Sequence, residues 1–206
     1  DHPRGPFRYT HKYLTGFSEK GAGDHTLFID DDRAAYLFFS ALPGLVMHYT
    51  KLTDDYLYPA GDSKPCDGID PHFEAPAMFK HDGTYHLLGS GTRGWNPAPP
   101  KYATAESIEG PWTEFEPEHG IVRPGGVNPV TGKGAELTWG GQSTYAFKLA
   151  DKDNAYIVMY DIWDHNNPHR CTHFWLPVEC DDQNKPFIRW HDYVDLSKVG
   201  MNGIDD

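Results

Sequence analysis

Three segments of this chain repeat one plan, and no other feature restricts its fold as much. They are DHTLFIDDDRAAYLFFS (24–40), EAPAMFKHDGTYHLLGS (74–90) and QSTYAFKLADKDNAYIVMYD (142–161). Each opens on a polar residue and runs through a short apolar strand to a phenylalanine: Phe28, Phe79 or Phe147. A turn of Asp, Gly, Lys or Asn follows, and a second strand starts near a tyrosine: Tyr36, Tyr85 or Tyr156. Asp, Asn and Gly favour such turns because their short side chains bond the local backbone or tolerate positive φ, so each segment reads as a β-hairpin.

The three phenylalanines are spaced by 51 and then 68 residues. That is the length of a four-stranded propeller blade with its loops. Further strands follow each hairpin: LVMHYTKLT after the first, KYATAESIEGPWTEF after the second, CTHFWLPVEC and PFIRW after the third. With 21 Gly, 17 Pro and 14% aromatic residues the chain reads as many short strands joined by tight turns, an all-β fold. A propeller satisfies this pattern, and so does a β-sandwich made of three ordinary hairpins.

In a propeller the first strand of every blade lines the central channel. The residues that open the three segments, Asp24, Glu74 and Gln142, would then converge from distant parts of the sequence. They lie four, five and five residues before the matching phenylalanine, which leaves the direction of Asp24 less defined. Two carboxylates facing one pocket suit glycoside hydrolysis, in which one acid must stay protonated until it donates to the leaving oxygen. Burial and a neighbouring like charge both raise a carboxyl pKa. Glu74, between Phe73 and Ala75-Pro76, has the apolar setting, and Asp24 would supply the charge. The alternative is a Glu74 that merely caps a strand or pairs with an arginine.

Several function classes fall away. A formal net charge of −12 argues against nucleic acid and anionic membranes as partners. No apolar run approaches the ~18 residues of a membrane-spanning helix. The opening DHPRGPFRYT is not a signal peptide, so an extracellular or periplasmic protein would carry its signal upstream or have lost it. Cys171 and Cys180 bracket an extended segment whose ends would lie ~30 Å apart, so free thiols are expected for them and for Cys66. Asp30, Asp31 and Asp32 read as a solvated hairpin turn rather than a cation site. HNNPHRCTH lacks the spacing of a zinc site, and no phosphate-binding loop, dinucleotide fingerprint or G-x-S-x-G elbow is present.

The segments DHTLFIDDDRAAYLFFS, EAPAMFKHDGTYHLLGSGTRGWNP, YATAESIEGPW, GGQST and FWLPVE resemble glycoside hydrolase family 43, and within it the exo-β-1,3-galactanase branch. The resemblance implies a propeller of the five-bladed type, of which about three blades lie in this chain. It implies one partial propeller domain over 1–206, with the end of a preceding blade over 1–20 and blades over 21–68, 69–125 and 138–195. It makes Glu74 the general acid, Asp24 the modulator of its pKa, and Gln142 the residue that positions the attacking water or acts in an imidic acid form. Thr92 and Trp95 resemble sugar contacts on a rim loop, where an indole offers an apolar face and an N–H; Asp161 and Trp163 hold the analogous loop after the third hairpin. The implied reaction is exo-acting, inverting hydrolysis of β-1,3-galactan of the arabinogalactan type, a plant polysaccharide. Alternatives are a non-catalytic carbohydrate-binding propeller remnant, or an arabinosidase or xylosidase of the same family. No organic cofactor is implied, with room only for a structural calcium ion. Gly23 stands where the family usually has arginine. With two blades missing, exposed faces are expected to be covered by a second chain or by self-association.

Overall fold

The computed structural model describes residues 2, 4–9, 21–150 and 152–200. The end of a preceding blade expected over 1–20 lies mostly outside them. Three twisted antiparallel sheets follow one another along the chain, each built outward from its first strand, as successive propeller blades are. The first sheet orders β1 (Ala22–Ile29), β2 (Ala35–Ala41), β3 (Val46–Lys51) and β4 (Lys64–Pro65). The second orders β5 (Glu74–His81), β6 (Thr84–Ser90), β7 (Pro100–Ala105) and β8 (Thr113–Phe115). The third has three strands: β9 (Gln142–Lys148), β10 (Tyr156–Ile162) and β11 (Thr172–Pro177). The extended run expected through Cys180 breaks at Val178, and β12 (Glu179–Cys180) pairs instead with β13 (Pro186–Phe187). All three cysteines are free.

Burial patterns show how the sheets stack. Six of the eight β5 residues from Glu74 to His81 are buried, on both faces of the strand, as befits the middle blade. β1 and β9 alternate, with one face inward and one outward. One core of Tyr36, Phe38, Met47, Met78, Tyr85 and Leu87 joins blades one and two. A second, with Ala77, Phe79, Leu88, Tyr156, Val158 and Leu176, joins blades two and three. The phenylalanine of each blade meets the tyrosine of the next: Phe28 and Tyr85 ring centres are 6.0 Å apart, those of Phe79 and Tyr156 5.1 Å.

The repeat holds for the phenylalanines but not for all the tyrosines. Phe28, Phe79 and Phe147 occupy one register position, paired with Tyr36, His86 and Ile157. Tyr85 and Tyr156 pair one residue later, with Lys80 and Lys148. Tyr36 is therefore one place out, and its ring points to the opposite face from theirs, because side chains alternate along a strand. The longer Asp30–Ala34 connection in blade one shifts the pairing relative to the tight Asp82–Gly83 turn in blade two.

That connection also does more than reverse the chain. Lys80 of blade two reaches Asp30 and Asp31, each at 2.8 Å, and Tyr85 donates to Asp30 at 2.5 Å. Asp32 accepts from the Ala34 amide at 2.8 Å, as expected of a turn, and Asp31 is largely exposed. Burial pushes the Asp30 carboxyl up, but the bonds from Lys80, Tyr85 and the Asp31 amide outweigh it and hold the group below its usual range. A depressed acid stabilises the fold above its unfolded pKa and loses that contribution as pH falls through the folded value. Lys80→Met should cost about 2 kcal/mol in urea unfolding at neutral pH, and the difference from the unaltered protein should shrink near pH 3.

The two outer faces of the arc remain apolar and open. Leu27 and Ile29 are 50% and 57% exposed on blade one, and Tyr145 and Trp175 are 43% and 49% exposed on blade three. Such surface favours association. Sedimentation equilibrium of the isolated chain should give a mass above the monomer; a monodisperse monomer would contradict this.

Candidate active site

The site grows from three bulges at one level. On β1 two residues, Gly23 and Asp24, oppose the single Ser40, since Ala22 pairs with Ala41 and His25 with Phe39. On β5 Glu74 pairs with Ser90 and Ala77 with Leu88, so Ala75 and Pro76 share one partner. On β9 Gln142 pairs with Asp161 and the irregularity follows at Thr144. β5 and β9 each carry one extra residue between the opening residue and its phenylalanine and β1 carries none there, so Asp24 sits one position nearer its phenylalanine yet reaches the same level as Glu74 and Gln142.

Hydrogen bonds lock this level across the blades. The Ala75 amide donates to Asp24 Oδ2 at 3.1 Å, and the Ala75 carbonyl accepts from the buried Ser143 hydroxyl at 2.6 Å. Ser40 donates to the Phe73 carbonyl at 2.8 Å. The residues around Glu74 are held in an uncommon backbone: His72 and Ala75 have φ of 67° and 54°. For residues with a Cβ this conformation costs about 1–3 kcal/mol each and persists only where the surroundings impose it. Gly89 lies beneath: a Cβ there would stand 2.1 Å from the Phe73 ring and 2.6 Å from the Glu74 carbonyl.

The Glu74 carboxyl itself is half-buried and has no hydrogen-bond or ion-pair partner among the described residues. Burial, and then the Asp24 charge, raise its pKa; His72 pulls weakly the other way. Gln142 is oriented by a relay. Its Nε2 donates to Ser90 Oγ at 2.9 Å, and that hydroxyl donates onward to the Gly91 carbonyl at 3.1 Å. Since Ser90 spends its hydrogen on Gly91, it must accept from Gln142, which leaves Oε1 of the amide free.

Asp24, Gln142, Asp161 and Trp163 line one open hollow of about 300 Å³, together with Ala75, Pro76 and Ser143. Trp95 stacks edge-on against Trp163, ring centres 5.3 Å apart, and both indoles are exposed at 57% and 43%. Glu74, Thr92 and Trp95 do not line the hollow; Glu74 adjoins it through Ala75 and Pro76. Sequence reasoning did not single out Ser40, Ser90, Ser143, Gly89 or His173. Ser40 and Ser90 were visible at matching places as LFFS and LLGS, and Ser143 stood on a first strand in QST, but which backbone group each bonds depends on the tertiary contacts. Among the described residues no group of three or more His, Cys, Asp or Glu is arranged to hold a metal ion.

No protein-family model matches the chain, and no curated protein does. Solved structures do. A GH43 β-1,3-galactosidase with galactodeoxynojirimycin is 36% identical over 85% of this chain, with a TM-score of 0.73. A second GH43 β-1,3-galactosidase is 33% identical over 87%, also at 0.73. The exo-β-1,3-galactanase of Phanerochaete chrysosporium with β-1,3-galactotriose is 25% identical over 95%, at 0.74. The chain spans 47%, 35% and 42% of those three chains, respectively.

The electrostatics can be read directly. Carbon-detected NMR titration of Glu74 should give a pKa above the usual carboxyl range. Asp24→Asn should lower it without restoring the ordinary value, because burial is the larger cause. An unchanged pKa in that variant would contradict the coupling.

Proposed function

From the premise that the chain is a partial propeller of the glycoside hydrolase family 43 kind, we propose that it carries the acid side of an exo-acting, inverting glycosidase for β-1,3-linked galactan. The observation that supports this best is Glu74: a carboxyl with no partner, raised by burial and by an Asp24 fixed on the next peptide. A carboxyl whose pKa is raised keeps its proton to higher pH and can give it to a glycosidic oxygen. Asp24 serves it twice. Its charge delays ionisation of Glu74, and its Oδ2 anchors the Ala75 amide so that the acid stays in place.

Gln142 suits a different task. An amide oxygen accepts a hydrogen bond but is a poor base, so a free Oε1 can hold a water against the face of the sugar opposite Glu74. Exposed Trp95 and Trp163 offer apolar faces for the C–H groups of galactose at the rim. The hollow is open, in keeping with a site that admits a chain end. The galactosidase and galactanase structures that the chain matches make galactan the first substrate to test.

The experiment is to incubate the chain with β-1,3-galactooligosaccharides and follow released sugar by proton NMR. The expected product is galactose that appears first as the α-anomer, since inversion turns a β-link into an α-hydroxyl. Glu74→Gln should slow release about 10²–10⁴-fold. Release unaffected by that substitution would sink the acid assignment, and binding without release would favour a carbohydrate-binding role. Cleavage of aryl arabinosides or xylosides in preference to galactan would move the substrate elsewhere in the family.

A further inference from the structure

The repeat breaks at one level of blade three. Ser40, Ser90 and Asp161 hold equivalent positions on β2, β6 and β10, each four residues beyond the partner of the matching phenylalanine. In the first two blades the position is a buried serine whose hydroxyl is spent on a backbone carbonyl, that of Phe73 or Gly91. In the third it is a carboxylate. The next strand departs at the same level. His173 pairs with Asp161, where Met47 pairs with Ser40 and Pro100 with Ser90.

Asp161 and His173 form a contact of their own. His173 Nδ1 lies 2.6 Å from Asp161 Oδ1. A carboxylate only accepts, so Nδ1 carries the hydrogen. Asp161 Oδ2 has no partner among the described residues, and the side chain is 21% exposed. Asp161 lines the same hollow as Asp24 and Gln142 and is the direct cross-strand partner of Gln142. A carboxylate kept only for stability would have its oxygens satisfied by backbone or a cation, as Glu179 is by Arg189 and His191. Asp161 is instead oriented by one imidazole and keeps one oxygen unpaired among the described residues, at the wall of the hollow.

We propose that Asp161 is the general base of this site, held by His173, while Gln142 orients the water it deprotonates. The inference rests on the glycosidase reading above and completes its chemistry. Water oxygen bonds to the anomeric carbon as the glycosidic C–O bond breaks. Glu74 gives its proton to the leaving oxygen, and the proton of the water passes to Asp161. Glu74 is left ionised and Asp161 protonated, and exchange with solvent resets both.

The test compares Asp161→Ala with the unaltered chain on β-1,3-galactobiose and on an aryl β-galactoside. Loss of the base should lower kcat about 10²–10⁴-fold on both substrates, whereas Glu74→Gln should spare the aryl substrate, whose leaving group needs little protonation. Azide, a nucleophile that needs no base, should restore turnover of Asp161→Ala and give α-galactosyl azide. Galactose release that is lost in Glu74→Gln but normal in Asp161→Ala would overturn this proposal and leave the glycosidase reading standing. So would a change in KM alone, or a properly folded Asp161→Ala that azide does not rescue. If the unaltered chain releases no galactose, the glycosidase reading fails instead, and the dyad is read by titration with galactose. A shift of the His173 ring resonances that disappears in Asp161→Ala supports its place at the sugar; no shift overturns it.

Discussion

One residue, Ala75, ties the three blades together through the two peptide groups that flank it. Its amide is held by Asp24 of the first blade and its carbonyl by Ser143 of the third, while the residue itself is the second of the middle blade. Both bonds cross between sheets, so each requires the two strands it joins to be in register, and together they require all three. The left-handed backbone of Ala75 follows from this double hold. So does the place of Glu74, which the same residue fixes from one position away.

Around that residue, stability and chemistry use different groups. Aromatic contacts and two apolar cores hold the sheets face to face. Lys80, Asp30 and Tyr85 pin blade one to blade two at the turn end, opposite to the bulges. The serines of the bulge level satisfy buried carbonyls that would otherwise cost about 1–3 kcal/mol each. What remains unpaired at the same level is Glu74, the amide oxygen of Gln142 and one oxygen of Asp161. Gln142 and Asp161 line the hollow, and Glu74 adjoins it through Ala75.

Much of the architecture could be read from the sequence because it repeats. Phe28, Phe79 and Phe147 mark one register position, and that periodicity predicts the common level of Asp24, Glu74 and Gln142. Local pattern failed where the answer lay in another blade. Tyr36 looked equivalent to Tyr85, but a longer turn moved it to the other face. The DDD run read as a solvated turn, although Asp30 is buried against a lysine 50 residues away in sequence. Ser143 and Gly89 carried no signal of their own, since a hydroxyl's acceptor and a ring's clearance are set by tertiary contacts alone. Thr92, singled out by resemblance, stands away from the walls of the hollow.

The central claim is that Ala75 is clamped between neighbouring blades. Hydrogen exchange of the Ala75 amide measures this most directly. The account predicts protection close to that of central strand amides such as Leu87, and its loss in Asp24→Ala while Leu87 stays protected. An Ala75 amide that exchanges as fast as those of exposed loops in the unaltered protein would contradict it.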